Sequence, residues 1–433
     1  MRTIRYLIRL FLAYVTRFKI LILAGIFIGV IIFLVLHFVF PVFFGKNVRR
    51  IGITGKYHVE ELPKDILALV GAGLTKINIH GEIEEGLAKS WETKDGGKTW
   101  DFFLKENKFW QDKTRVTSKN INYEFEGVTI DRPNDYTISF KLQTRFSAFP
   151  SVVSHPVFKK GLLGTGSWKV EKLKLSGSFV EEVVLRNNDN SKRRFKFFPT
   201  EERTKLAFKL GEVDEVVDLI DPKPLNSWNT VEVTPTINKN RFLAIFFNTQ
   251  DETLSDKSLR QALSYTIDKS KFESERAIGP ISPLSWTFNP QVKAYDYDPE
   301  KAKSLFKGQP TIKLVTSPLL LDIAEIIAKD WDNVGIKTQV LVSSILPEEY
   351  QAFLAIYDIP PDPDQYSTWH STQGASNISH YKNPRIDKLL EDGRIELDTE
   401  VRKKIYFDFQ RFLLEDAPAA FLVNPVSYTV TRK

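Results

Sequence analysis

The 433-residue chain contains no cysteine. Disulfides, thiolate metal ligands, thiol catalysis and a lipid-modified cysteine anchor are therefore excluded. Histidine is scarce. Its six residues, at 37, 58, 80, 155, 370 and 380, are scattered, and no pair has the short spacing of a shared metal site. No G-x-S-x-G, H-E-x-x-H or P-loop pattern occurs, so neither a hydrolase nor a nucleotide-phosphate site has a sequence signature. No metal and no cofactor is expected. Acid is missing at one end: residues 1–50 hold eight Lys/Arg and no Asp or Glu. The other 383 residues carry 52 basic and 54 acidic side chains, so the net charge of +6 belongs to the N-terminus. The body is near neutral, which gives no support for nucleic-acid binding.

Charge is absent altogether from Ile20 to Phe44, "ILILAGIFIGVIIFLVLHFVFPVFF". These 25 residues are long enough to span a bilayer as a helix. The run is longer than a signal-peptide core, and "FFGKN" has no small-residue cleavage site. The sequence predicts an uncleaved transmembrane anchor over 20–44, preceded by a basic cytoplasmic segment over 1–19. Five basic residues precede the span and three closely follow it, which orients the N-terminus inward and the body outward.

The length after residue 48 exceeds one compact core, and 12% aromatic residues imply large cores or an aromatic-lined cleft. Strand-like and helix-like segments alternate, pointing to α/β layering. "RRIGITG" (49–55), "KTWDFFLKEN" (98–107) and "RFLAIFFNT" (241–249) read as strands. "DRPNDYTISFKL" (131–142) reads as a turn and then a strand. "TSKNINYEF" (117–125) reads as a helix behind a Thr-Ser cap. Residues 200–214 read as a helix capped by Thr200 and stopped by Gly211. Further helices are expected over 255–272, 321–335 and 399–416, where apolar residues recur on one face. The expected division is a first lobe over 48–237, a second over 238–418, and a C-terminal strand over 419–433 returning to the first.

These segments, taken in order, resemble the family-5 extracellular solute-binding proteins, the dipeptide/oligopeptide-binding class that serves ABC importers. The resemblance is carried by "GEIEEGLAKSWETKDGGKTWDFFLKENKFW" (81–110), "VTSKNINYEF" (116–125), "GTGSWKV" (164–170), "SDKSLRQALSYTIDKSKF" (255–272), "YDPEKAKSLF" (297–306), "DPDQY" (362–366) and "RKKIYFDFQRFLLEDAPAAFL" (402–422). It implies an α/β, two-lobe periplasmic-binding-protein-like ectodomain of the class C type with a hinged cleft. It also implies a peptide or other small-molecule ligand and ABC importer permease subunits as partners. The protein would be a binder and not an enzyme. Two departures stand out: the segment between "NYEF" and "NDYT" is short, and a membrane span replaces the usual lipoprotein or cleaved signal. The contrasting reading is a tethered sensor or interaction module with a degenerate cleft.

In peptide-binding members an Asp three residues before the acidic residue of the "DP" pair holds the ligand's α-ammonium. Here that position is Ile359, and Asp358 in "YDIPPDPD" is the nearest candidate. The stretch "DPDQYSTWHS" (362–371) brings Asp, His and Ser together, but it reads as architecture. Asp362-Pro363 resembles an N-cap with proline at the first helical position. Tyr366 and Trp369 would share one face of that helix and either line the cleft or pack in a core. Trp110 and Trp286 carry the same two readings. Gly164 and Gly166 are assigned to the backbone near the hinge and not to a phosphate. His370 lacks the partners that catalysis requires.

Overall fold

The computed structural model describes residues 14–34 and 48–433. Most of the basic segment 1–19 and the second part of the expected span, 35–44, lie outside the described residues. Within them, Lys19–Leu34 forms a 16-residue helix whose apolar side chains, among them Ile20, Leu21, Leu23 and Phe27, are exposed. Among the described residues no helix is long and apolar enough to cross a membrane. The expected transmembrane anchor over 20–44 is therefore not supported by the described residues, which hold only its part up to Leu34.

The first lobe is built on a seven-stranded sheet. Its spatial order is 231–237, 426–432, 215–219, 48–54, 192–198, 179–187 and 168–176. The strand Val48–Thr54 runs parallel to both Lys192–Phe198 and Glu215–Leu219. A separate four-stranded antiparallel sheet over 88–141 packs its own core, in which Trp100, Phe102, Trp110 and Phe140 meet Phe149. The segment 117–125 is not the expected helix. Thr117 caps only a single turn, Ser118–Asn120. Beyond it, Ile121, Tyr123 and Phe125 turn every second side chain into this core, a period of two that an extended chain satisfies and a helix does not.

The second lobe holds a five-stranded sheet in the order 337–342, 311–316, 352–358, 241–247 and 419–423. The strand Arg241–Phe247 explains its unbroken apolar sequence. Leu243, Ile245 and Phe247 pack under the helices Lys257–Thr266 and Leu321–Asp332, while Phe242, Ala244 and Phe246 pack under Pro384–Ile395 and Thr399–Asp416. A strand covered on both faces has no polar side to alternate with. The helix termini follow the sequence signals. Thr200 accepts from the Arg203 amide, Asp256 from Ser258, and Asp398 from Glu400 and Val401. Gly211 takes a positive φ of 75° directly after its helix.

The chain crosses between lobes twice, at 237–241 and at 423–426. The crossings are tied to each other: the Asn238 amide donates to the Pro425 carbonyl at 3.0 Å, and Asn424 Nδ2 donates to the Arg241 carbonyl at 2.8 Å. The C-terminal return is shorter than 419–433. Ala419–Val423 stays in the second lobe, paired with the strand 241–247, and only Val426–Arg432 enters the first-lobe sheet.

Candidate functional site

Between the lobes lies an open cleft of about 960 Å³. One wall comes from the first lobe: Lys64, Asp65 and Ala68 on the helix Lys64–Val70, the glycine-rich turn 71–73, and segments around Asn78, Phe109 and Ser151. The second lobe supplies Asn240, Pro360, Pro361, Asp362 and Asp364. A further hollow of about 640 Å³ shares Asn78, Ala148, Ser151 and Asp362 and extends the cleft toward Trp91, Trp286 and Arg402. The floor is set by close backbone approach. A Cβ on Gly166 would sit 2.2 Å from the Leu69 carbonyl oxygen. Gln111 Nε2 stitches the same place by donating to the carbonyls of Val70, Gly166 and Trp168. The glycines of "GTG" therefore serve packing.

The cleft surface is mixed. Ile79, Phe109 and Val152 present apolar side chains that are 73%, 48% and 37% exposed. Lys64, Lys76 and Lys108 stand on the first-lobe wall, opposite the carboxylates of Asp362 and Asp364. Concave, partly apolar surface with a few converging polar groups is the usual make-up of a ligand site. The lobes touch at both rims. The Ser147 amide donates to the Arg394 carbonyl at 2.6 Å on one side, and the Trp286 amide donates to the His80 carbonyl at 3.0 Å on the other.

The segment 362–371 is held by buried ion pairs. Asp362 does not cap a helix, because the short helix is Tyr366–Trp369 and starts after Gln365. Instead its carboxylate receives both Arg402 nitrogens, at 2.6 and 3.2 Å, with both residues buried. Burial opposes the Arg402 charge, and the Asp362 carboxylate more than reverses this, so the Arg402 pKa lies above the ordinary arginine range. Asp364 pairs with Arg394 at 3.1 Å. Burial pushes the Asp364 carboxyl above the usual carboxylate range, against the pull of Arg394. Asp362 and Asp364 are taken up by arginines and meet neither His370 nor Ser371. Ser371 Oγ donates to Asp387 at 2.6 Å, while His370 turns Nδ1 to Thr372 Oγ1 at 2.8 Å, stacks on Tyr366 at 4.0 Å and has Nε2 3.5 Å from Glu391 and 3.9 Å from Asp387. No group of three acids or histidines suited to a metal ion exists among the described residues.

Of the five ligand candidates read from sequence, Asp358, Tyr366, Trp369, Trp110 and Trp286, Trp286 is the one that lines the cleft extension, where the Arg402 guanidinium lies 5.9 Å from its ring centroid. Trp110 is buried in the four-stranded sheet's core and donates to Asn120 Oδ1 at 2.9 Å. Trp369 is buried under Phe246 and Phe421. Tyr366 is sandwiched between His370 and the Arg394 guanidinium, 4.3 Å from its ring. Asp358 stands outside the cleft wall, at the crossing between lobes. Arg241 Nε donates to it at 2.6 Å, and Arg241 NH1 donates to Asp218 of the first lobe at 2.6 and 2.8 Å. The residues missed include Phe109, one position before Trp110. In an extended segment neighbours face opposite ways, so burial of one exposes the other.

A family profile for bacterial extracellular solute-binding proteins, family 5 (Middle), matches residues 82–377. This chain belongs to family 5. Among relatives of this family 5 protein is the oligopeptide-binding protein AppA of Bacillus subtilis, 23% identical over 85% of this chain and 83% of its own length. Among solved structures, NikZ from Campylobacter jejuni in complex with Ni(L-His) superposes with a TM-score of 0.74 at 21% identity, covering 90% of this chain and 94% of that one. AppA from Bacillus subtilis in complex with a nonapeptide gives 0.68 at 19% identity, covering 89% and 95%. The two-lobe architecture of this family 5 protein is thus shared with solute-binding proteins, and the relatives named are binders and not enzymes.

Proposed function

We propose that this family 5 protein is tethered outside the cytoplasmic membrane by its N-terminal apolar segment, captures peptides or a related small solute in the interlobe cleft, and delivers them to the permease subunits of an ABC importer. The observation that carries the binding role is the 960 Å³ cleft, walled by both lobes and reached by two tied crossings. Ligand contacts made only when the walls approach would drive closure by hinge motion. Lysines on the first-lobe wall and apolar side chains beside them suit an extended ligand with a carboxylate and apolar side groups, while the opposite carboxylates of Asp362 and Asp364 are already paired with Arg402 and Arg394. The relationship to oligopeptide-binding AppA favours a peptide. Trp286 contributes from the cleft extension. Because Asp358 is paired with Arg241, the ammonium of such a ligand is left to other acceptors.

The tether is supported by the exposed apolar surface of Lys19–Leu34 and by the uncharged sequence that continues to Phe44. Native mass spectrometry of the full chain extracted from its host membranes tests both parts. The expected result is an intact N-terminus with a bound peptide-sized mass. Recovery in the soluble fraction with residues 1–45 removed would overturn the tether. A bound mass that fragments to something other than amino acids would overturn the peptide.

A further inference from the structure

The chain enters the body at Val48, on the strand that pairs in register with Lys192. From there a row runs across three strands: Lys192 lies opposite Arg186, and Arg186 lies opposite Lys169. Like charges directly opposed on neighbouring strands repel and destabilise a sheet. Glu171 relieves Lys192 at 2.8 Å, but neither Lys169 nor Arg186, both exposed, has an ion pair among the described residues. The segments forming this rim, 48–50, 169–172 and 186–194, carry eight basic side chains against Glu171 and Asp189. Glu215 and Asp214, on the neighbouring strand at the same edge, draw on Arg49 and Arg50, and Glu182 draws on Lys172 and Arg194, which still leaves Lys169, Arg186 and Arg193 without an ion pair among the described residues. The rest of the body carries more acid than base, so the positive charge is local.

Only Gly45, Lys46 and Asn47 separate this rim from the apolar run ending at Phe44. Three residues reach at most about 11 Å. The two crossings leave the sheet at its opposite end, roughly 20 Å away along a seven-residue strand. We propose that the basic rim around Lys169, Arg186 and Lys192 docks on anionic phospholipid headgroups, standing the body on the membrane with its hinge outward. The inference rests on the tether proposed above. A basic side chain near an anionic surface shifts the docked-to-undocked ratio by roughly fivefold.

Because the chain has no cysteine, Asn188→Cys in the turn beside the row gives a single labelling site. The full chain, carrying a donor dye there, is reconstituted into phosphatidylcholine nanodiscs with and without phosphatidylglycerol, with acceptor dyes on the headgroups. The expected result is stronger energy transfer in the anionic discs. It should fall to the neutral-disc level at about 1 M salt, where the screening length is about 3 Å. Adding Lys169→Glu and Arg186→Glu should lower the docked-to-undocked ratio at least roughly twentyfold. Equal transfer in both discs, with the chain retained in both, overturns the docking and leaves the tether standing. A chain held only by anionic discs and washed off by salt overturns the tether and keeps the basic rim. A chain held by neither disc overturns both.

Discussion

The Arg241 guanidinium donates through Nε to the Asp358 carboxylate at 2.6 Å, across two paired strands of the second lobe. The same guanidinium reaches Asp218 in the first lobe, so one cation joins both lobes at their crossing. Burial works against the Arg241 charge, and the two carboxylates outweigh it, holding its pKa above the ordinary range. Asp358 itself is 80% exposed at the side chain. An exposed pair of this kind contributes at most about 1 kcal/mol. Asp358→Asn is therefore expected to cost no more than that in stability and to leave ligand affinity nearly unchanged. Titration calorimetry with the identified ligand checks this. A loss of about 1.5–3 kcal/mol would mark Asp358 as a direct acceptor of the ligand's ammonium.

Asp362→Ala should behave very differently. It leaves the buried Arg402 guanidinium without its carboxylate, at a cost of about 3–5 kcal/mol. Replacing both residues, as Asp362→Leu with Arg402→Met, should recover most of the loss, because no charge is then stranded. Urea unfolding followed by tryptophan fluorescence distinguishes the two. Equal destabilisation by the single and double variants would mean that packing, and not charge, dominates here.

Phe109→Ala tests the apolar wall of the cleft. The ring is about half exposed in the free protein, so the variant should change stability by no more than about 0.5 kcal/mol. If the ligand covers the remaining face, affinity should fall by about 1–1.5 kcal/mol, roughly tenfold in Kd. The control is Trp110→Phe, which should destabilise the lobe and leave the affinity of the folded fraction intact. Unchanged Kd in Phe109→Ala would move the ligand to the Trp286 end of the cleft.

Lys269 gives a pH dependence. Its ammonium is buried beneath the second lobe and donates to the carbonyls of Ser264 and Tyr295. Burial, with Arg276 nearby, pulls its pKa down to about 7 from the ordinary 10.5. Between those values the unfolded chain holds a proton that the folded chain has lost, so stability rises with pH across that window. Lys269→Met should remove this rise. The wild-type-minus-variant difference in unfolding free energy, measured from pH 7 to 10, checks the sign. A flat difference would show that the ammonium keeps its charge when folded.

What could be read from the sequence follows a physical division. The strand 241–247 was legible because both its faces are covered, which writes a continuous apolar run. The helix start at Thr200 was legible because a cap is a local bond. The lining of the cleft was not. Whether Phe109 or Trp110 faces inward depends on which side the four-stranded sheet lies, and both residues are equally apolar. Asp362 carried a cap's local signature, but its real partner is Arg402, forty positions later. Asp358 was drawn toward the ligand by its place near "DPD", while Arg241, far earlier in the chain, had already neutralised it. The segment 117–125 misled because its Thr-Ser start promised a helix that the alternation of Ile121, Tyr123 and Phe125 denied.

The strand Val426–Arg432 lies between Glu215–Leu219 and Val231–Ile237, so it fills an interior position of the first-lobe sheet. The second-lobe sheet, by contrast, uses only residues 241–423. During synthesis the lobe that begins first is therefore the one that closes last. Until the final strand arrives, Glu215–Leu219 and Val231–Ile237 each expose an open edge, a state that needs protection from pairing with other chains. A chain ending at Pro425 should keep the protease resistance of its second lobe and lose that of the first. The delay is confined to that edge: the sheet over 88–141 and the strands from 48–54 to 168–176 can pair without the last strand, so what waits for the chain's end is the closing of one side of the first lobe.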